Sequence, residues 1–474
     1  MVGDDAGVRE MSEVVTRPTG GAEPEGVVRR AVRALAAVPL VAVVAVAIGV
    51  RVLAGVAFPA AETETYEFGW LARNIVDGRG YAYYADDPVG RLTPEESGEL
   101  GAPFPSAYMP PLYTFLTAGA VELGDTHEGT VWLVRLANLA SAAAGVLVMH
   151  ALARRLVGQP GARLAALGFA LYPAIVYLAT QVSAANLYVT LELGVLVLLL
   201  RASTSAAWRH WLAAGAGLGL VCLLRAEAVA LVPLAAAWLV WTARRHATPR
   251  RAVLAAVFLS VALAMPGVWL VRNSLALGTP VAAVTSSGGK NLWIGNHDGA
   301  SGSQKDFTIP ETIEDEIRAL EPGDDFEARA DAIYRREAID SITGDPVGTA
   351  LRDVKKAALL LGADVHDRRN LNPLYLGPYV IVLGLGAAGF VTWWRRRPAG
   401  DTVRWLIVGY VAFSVAVPTI FFALARYRLP VEMMLLVFAA AWVAERAGPP
   451  APDRAATSLG PMGRADRRAT GARI

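Results

Sequence analysis

ALAAVPLVAVVAVAIGVRVLAGVAF, residues 34–58, runs almost directly into ETETYEFGWLARNIVDGRGYAYY, residues 62–84. The first stretch is apolar over a length that crosses a bilayer, with Arg51 its only charge. The second crowds Glu62, Glu64 and Glu67, a group of tyrosines and a helix ending at Gly78 into a few turns. An apolar run that empties into a carboxylate-rich amphipathic rim reads as a membrane helix followed by an outer loop. That reading sets the fold class for the rest of the chain.

Composition agrees. Of 474 residues, 54% are hydrophobic and only 18% charged, and the mean hydropathy is +0.39. This balance is wrong for a soluble domain. A net charge of +2 does not point to nucleic acid, and none is expected as a partner. Cys222 is the only cysteine, so no intrachain disulfide forms. Residues 1–28 are polar and rich in Gly, Pro and Glu, and the first apolar run is too long for a signal-peptide core. They read as a disordered cytoplasmic tail.

Ten spans are expected, at 34–58, 131–152, 161–181, 185–201, 208–224, 226–243, 252–271, 374–394, 403–424 and 429–445. With ten, every short basic loop falls on one side: Arg29, Arg30 and Arg33; Arg154, Arg155 and Arg163; Arg201 and Arg209; Arg244, Arg245, Arg250 and Arg251; Arg395, Arg396, Arg397 and Arg404. Arg446, Arg454, Arg464, Arg467, Arg468 and Arg473 in the C-terminal tail join them. The positive-inside rule then places both termini in the cytoplasm, and the expected location is a bacterial inner membrane.

The fold class expected is an all-α polytopic membrane protein. Its divisions are a disordered tail at 1–28, an N-terminal bundle at 29–273 that includes a first outer loop at 59–130, an extracytoplasmic segment at 274–372, C-terminal spans at 373–446, and a disordered basic tail at 447–474. In the first loop, TYEFGWLARNIV puts Phe68, Leu71, Ala72 and Ile75 on one helical face, with Gly78 and Gly80 as a C-cap. Such a helix is expected to lie along the interface, with Tyr66, Glu67 and Tyr81 in the interfacial loop. Pro110 and Pro111 open a second piece. No internal repeat is evident.

Ionisable groups on the outer side are the candidates for chemistry. A carboxylate just outside span one can act as a general base on an acceptor hydroxyl, or be a solvated rim. Arg225 and Glu227 sit in the hairpin LLRAEAVALVP, where charge near hydrocarbon is either paired as an anchor or functional. Arg272 ends span seven. In SSGGKNLWIGNHDGASG, residues 286–302, Gly288 and Gly289 free the backbone while Lys290, Asn291 and Asn296 offer donors for phosphate or sugar hydroxyls. Arg426 and Arg428 in ARYRLP run against the positive-inside tendency, and guanidinium suits phosphate. Glu192 lies inside span four, where an interior-facing position is expected. His127 and His150 lack partners at metal-ligand spacing, so no metal site is read, and nothing in the sequence supports a divalent cation.

With these residues in view, the chain resembles a bacterial membrane glycosyltransferase of the GT-C fold, family 39 type, which includes protein O-mannosyltransferases and the lipid A aminoarabinose transferase. The landmarks are ETYEFGWLARNIVDGRGY, MPPLYTFLTAGAVELG, LLRAEA, VRNSLALG, SSGGKNLWIGNHDGASG and RYRLP, in that order over roughly residues 34–445. The resemblance implies a GT-C-like bundle and transfer of a sugar from a polyprenyl-phosphate donor to a lipid, glycan or protein acceptor outside the cytoplasm. It also implies inversion, with a first-loop carboxylate as base. Aligning FGWLARN with the family's Y-x-x-LA-x-N pattern puts Glu64 where members usually have aspartate, and Glu62 is its rival. Where the family often has Glu before Asn-Leu, SAANLY supplies Ala185. Donor phosphate and sugar would fall to Arg426, Arg428, Lys290, Arg272, Asn291, Asn296, Arg225 and Glu227. The alternatives are a non-catalytic protein that binds or flips polyprenyl lipid, and a polysaccharide polymerase or ligase.

Overall fold

The computed structural model describes residues 26–84, 103–205, 207–244, 249–321 and 323–448. Most of the two expected terminal tails lies outside the described residues.

Prolines punctuate the N-terminal half. The first expected span is two helices, α1 (Val27–Ala37) and α2 (Leu40–Ala57). Val38 is extended because the residue before a proline, here Pro39, avoids the helical region. After α2 come α3 (Tyr66–Val76), a ribbon of β1 (Ala82–Tyr84) with β2 (Pro103–Pro105), and α4 (Pro111–Gly124). The strands are antiparallel, with Tyr83 opposite Phe104. Then follow α5 (His127–Leu156), α6 (Gly161–Leu171) and α7 (Pro173–Leu178), the last two separated before Pro173. Next are α8 (Ala185–Thr204), α9 (Trp208–Cys222), a 3-10 turn at Ala226–Ala230, α10 (Leu231–Arg244) and α11 (Pro249–Ala276). A cap follows: α12 (Gly288–Asn296), α13 (Glu311–Arg318), α14 (Phe326–Gly344) and α15 (Pro346–Leu361). The chain closes with α16 (Pro373–Arg396), α17 (Thr402–Ile420), a 3-10 turn at Ala425–Arg428 and α18 (Leu429–Ala447).

The chain is a multi-pass, all-α membrane protein. Among the described residues, seven helices are long and apolar enough to cross a membrane, and each coincides with an expected span. The other three expected spans hold shorter helices. Fifteen residues in α9 reach only about 22 Å, short of the roughly 30 Å hydrocarbon core. The most enclosed are α8 and α18, whose apolar windows are 67% and 72% buried, against 22% for α2 and α16. Two close crossings depend on glycine. A Cβ at Gly386 would lie 2.6 Å from the Leu435 carbonyl, and one at Gly215 would lie 2.6 Å from that of Phe258. Small residues let α16 and α9 approach their neighbours backbone to backbone.

The arginine-rich ends meet on one side. Arg33 donates to the Ala447 carbonyl, Arg163 to that of Ala36, Arg397 to that of Leu156, and Arg396 pairs with Glu445. The cap sits at the opposite end on a second apolar cluster that includes Trp70, Leu71, Tyr83, Phe104, Trp293 and Tyr334. Helix α3 is packed into protein, because Trp70 and Leu71 enter the cap's core while Phe68 meets Tyr113 of α4. Its end is as expected: Gly78 and Gly80 take positive φ of 75° and 80°, and the Arg79 amide returns to the Asn74 carbonyl.

Candidate active site

The backbone that carries the first-loop carboxylates is held by an arginine that the sequence reading did not single out. Arg135, buried near the start of α5, donates to the carbonyls of Gly55 and Phe58, to that of Thr180, and to Thr63 Oγ1 at 3.0 Å. It caps the orphan carbonyls at the end of α2 and pins the residue between Glu62 and Glu64. Thr63 and Thr65 are buried, whereas Glu62 and Glu64 face outward. The signal for Arg135 was an arginine at the cap-side end of a span, where the positive-inside tendency disfavours one.

Tyr66 follows in a left-handed conformation, φ 50°, which costs a non-glycine residue about 1–3 kcal/mol. Its side chain has Glu64, Arg369 and Tyr177 close by. Burial, then the charge of Glu64, raises the Tyr66 pKa. Arg369 lies 6.0 Å from the Tyr177 ring. Glu64 thus sits at the cap-side rim of the bundle among two tyrosines and an arginine.

Glu67 has different surroundings. It is half-buried on α3 and is the largest charge acting on Tyr108, whose pKa is raised first by burial and then by Glu67. Lys290 Nζ donates to the Tyr108 hydroxyl at 3.3 Å, and the Tyr108 and Tyr83 rings stack with centroids 6.0 Å apart. The KNLWIGN stretch forms the body of helix α12. Gly289 serves packing, since a Cβ there would be 2.2 Å from the Asp331 carbonyl. Asp331 accepts from the Lys290 amide at 3.0 Å.

Beneath this cleft Glu327 fastens three segments together. Its carboxylate accepts from Ser106 Oγ at 2.5 Å, from the Ala107 amide at 2.7 Å and from Ser286 Oγ. Burial outweighs these bonds and raises its pKa. A raised folded-state value means that the stability it contributes is full at low pH and is lost as pH rises through that value. The difference in Tm between wild type and Glu327→Gln is accordingly expected to shrink as pH climbs above about 4.3. A difference that stays flat with pH would show that burial does not shift this carboxyl.

Arg225 and Glu227 form an ion pair. The Arg225 guanidinium lies 4.8 Å from the Tyr188 ring and 4.1 Å from that of Tyr427. Tyr188 in turn donates to Glu192 at 2.5 Å, and Tyr410 donates to the other Glu192 oxygen at 3.0 Å. Glu192 faces the interior as expected, on the wall of an apolar cavity of about 370 Å³ bounded by α8, α9, α10 and α17. Val195, Leu199, Leu218, Leu234 and Trp238 are among its walls. The Leu112 amide bonds the Leu223 carbonyl at 3.0 Å, which joins the start of α4 to this hairpin.

Several expected phosphate donors are engaged in the fold. Arg428 is buried, paired with Glu432 at 2.5 Å, and donates to the Gly362 carbonyl at 2.6 Å. Asn296 donates to the Leu292 and Ile420 carbonyls and accepts from Lys356. Arg272 donates to the carbonyls of Ser106 and Tyr81 and lies 5.1 Å from the Tyr81 ring, while the Tyr81 hydroxyl donates to the Met109 carbonyl. Arg426 is exposed, 5.8 Å from the Tyr427 ring, and Asn291 is half-buried on α12. The structure therefore gathers Arg225, Glu227, Tyr188, Tyr427 and Glu192 into one cluster, and Glu67, Tyr108 and Lys290 into another. Among the described residues no group of three or more His, Cys, Asp or Glu side chains is placed to hold a metal ion.

The family model for dolichyl-phosphate-mannose-protein mannosyltransferases matches residues 108–269. The chain resembles this family. The match takes in α4 through most of α11, including the Arg225 hairpin and Glu192. No curated protein matches the chain. Among the solved structures similar over most of it are two of known glycosyltransferases. One is the apo oligosaccharyltransferase of Archaeoglobus fulgidus, 11% identical with a TM-score of 0.49. The alignment covers 85% of this chain and 50% of that one, so the chain spans about half the archaeal protein's length. The other is ArnT from Cupriavidus metallidurans bound to undecaprenyl phosphate, 16% identical with a TM-score of 0.35, covering 86% of this chain and 77% of that one.

Proposed function

We propose that this protein is an integral membrane glycosyltransferase that takes a sugar from a polyprenyl-phosphate donor and passes it, with inversion, to an acceptor hydroxyl on the cap side of the membrane. The observation that carries this reading is the apolar cavity continuous with the Tyr188–Glu192–Tyr410 triad, with Arg225 beyond it. A prenyl chain needs an apolar groove, and its phosphate needs a guanidinium or ammonium at the groove's end. The matching family's description names a lipid-phosphate-linked mannose, which supports a donor of this class.

In the reaction Glu64 takes the acceptor's O–H proton, and the oxygen attacks the anomeric carbon. The bond from that carbon to the phosphate oxygen breaks, and polyprenyl phosphate leaves with the electron pair. Arg225 and Lys290 are the cations that stabilise its charge. Positive-inside placement puts the arginine-rich end and both termini in the cytoplasm, with a bacterial inner membrane as the setting. The acceptor is a lipid, glycan or protein.

The test is binding and transfer by the purified chain with a radiolabelled polyprenyl-phosphate sugar. Arg225→Gln is expected to weaken donor binding by about tenfold or more, the loss of one charge-assisted contact. Unchanged affinity would remove Arg225 from the phosphate. Tight donor binding without transfer to any acceptor would instead favour the lipid-binding or flipping role, for which Ala185 at the start of α8 speaks.

A further inference from the structure

Helix α15 is turned the wrong way round for a helix in water. Val347, Leu351 and Val354 are 71%, 67% and 69% exposed, and their spacing of four and three residues puts them on one stripe. Leu361 carries that stripe to the helix end. On the other side Lys356 is wholly buried. Its ammonium is held by Asn296 Oδ1 at 2.9 Å and Asp353 at 2.8 Å, close to the Ile420 and Phe421 carbonyls that end α17. Exposing valine and leucine while burying lysine is unfavourable on both counts if the surrounding medium is water.

The neighbours of α15 show what that medium is. Leu359 and Leu360 of α15 pack against Ala423 and against Val415 of α17, a membrane-crossing helix. Past the end of α15, Val365, Leu371 and Leu374 are exposed, and the apolar belt runs on into Val380 and Ile381 on the outer surface of α16, another such helix. Lys355 and Arg368 are exposed beside the belt, where they complement lipid phosphates. We propose that α15 lies in the boundary between headgroups and acyl chains on the cap side of the bilayer, with Val347, Leu351 and Val354 immersed in phospholipid. Lys356 and Asn296 join this helix to α12, which carries Lys290.

Site-directed spin labelling tests this, and the single native cysteine, Cys222, is buried and removable as Cys222→Ala. Nitroxides are placed at Leu351→Cys and separately at Val354→Cys, with exposed Glu311→Cys on α13 as the aqueous reference. The full chain is reconstituted in nanodiscs of phosphatidylethanolamine and phosphatidylglycerol. Collisions with oxygen are expected to exceed those with a water-soluble nickel chelate at 351 and 354, and the ratio to invert at 311. Chelate-dominated relaxation at 351 and 354 would place the stripe in water and overturn the proposal. Low accessibility to both reagents there would mean that protein, such as a second copy of the chain, covers the stripe, and would overturn it equally.

Discussion

Glu64→Gln is expected to lower the rate of sugar transfer by about 10²–10⁴-fold, the usual worth of a general base, while leaving donor binding unchanged. The amide keeps the shape of the carboxylate beside Tyr66, so the loop should fold normally. It cannot accept the acceptor's proton. The strained Tyr66, at φ 50°, is a reason to look for function here, because a left-handed tyrosine persists only where the surroundings impose it. Glu67 is the competitor, since its charge acts on Tyr108, whose hydroxyl accepts from Lys290. A carboxylate on α3 whose charge acts on Tyr108 is placed to orient a substrate. Glu67→Gln should therefore raise KM more than it lowers kcat. The reverse pattern, with Glu64→Gln near wild type and Glu67→Gln losing kcat, would move the base to Glu67. Full activity in both would leave Glu62.

The membrane bundle could be read from the sequence because its two signals are one-dimensional. Apolar length and the segregation of arginine survive without any knowledge of packing, and each of the ten expected spans contains a helix. What escaped depends on partners far away in the chain. Ser106 and Glu327 are 221 residues apart, and nothing local to either announces the other. The ribbon was hidden because three-residue strands carry no usable alternation. The amphipathic pattern of α3 likewise does not announce its partners, because Trp70 and Leu71 join a cluster that includes Trp293, Ile313 and Tyr334. The phosphate candidates were chosen for charge and side of the membrane alone. Those rules cannot tell Arg225, between the rings of Tyr188 and Tyr427, from Arg428, which is wrapped in its own fold. One local clue to Arg428 did exist: Glu432 stands four residues ahead of it on a helix, a spacing at which opposite charges meet.

Arg428→Met is accordingly expected to act on stability and not on substrate. The guanidinium donates to Glu432 at 2.5 Å, to the Leu360 and Gly362 carbonyls, and to Asn370 Oδ1, and it lies 3.5 Å from the Tyr379 ring. Both charged side chains are almost sealed from solvent, at 4% and 3% exposure. Removing the arginine leaves a buried carboxylate without its cation and frees the turn after α15, at a cost of about 3–5 kcal/mol. Removing both charges behaves differently, because an apolar pair of similar volume avoids the desolvation that the ion pair carries. Arg428→Met with Glu432→Leu should therefore recover much of the loss. Unfolding in detergent, followed by helical signal for the two single variants and the double, completes the cycle. Donor affinity is measured on the folded fraction of each. A single variant as stable as wild type, or a double variant no better than the single, would show that the pair does not hold α15, α16 and α18 together. Loss of donor affinity with stability intact would return Arg428 to the phosphate site.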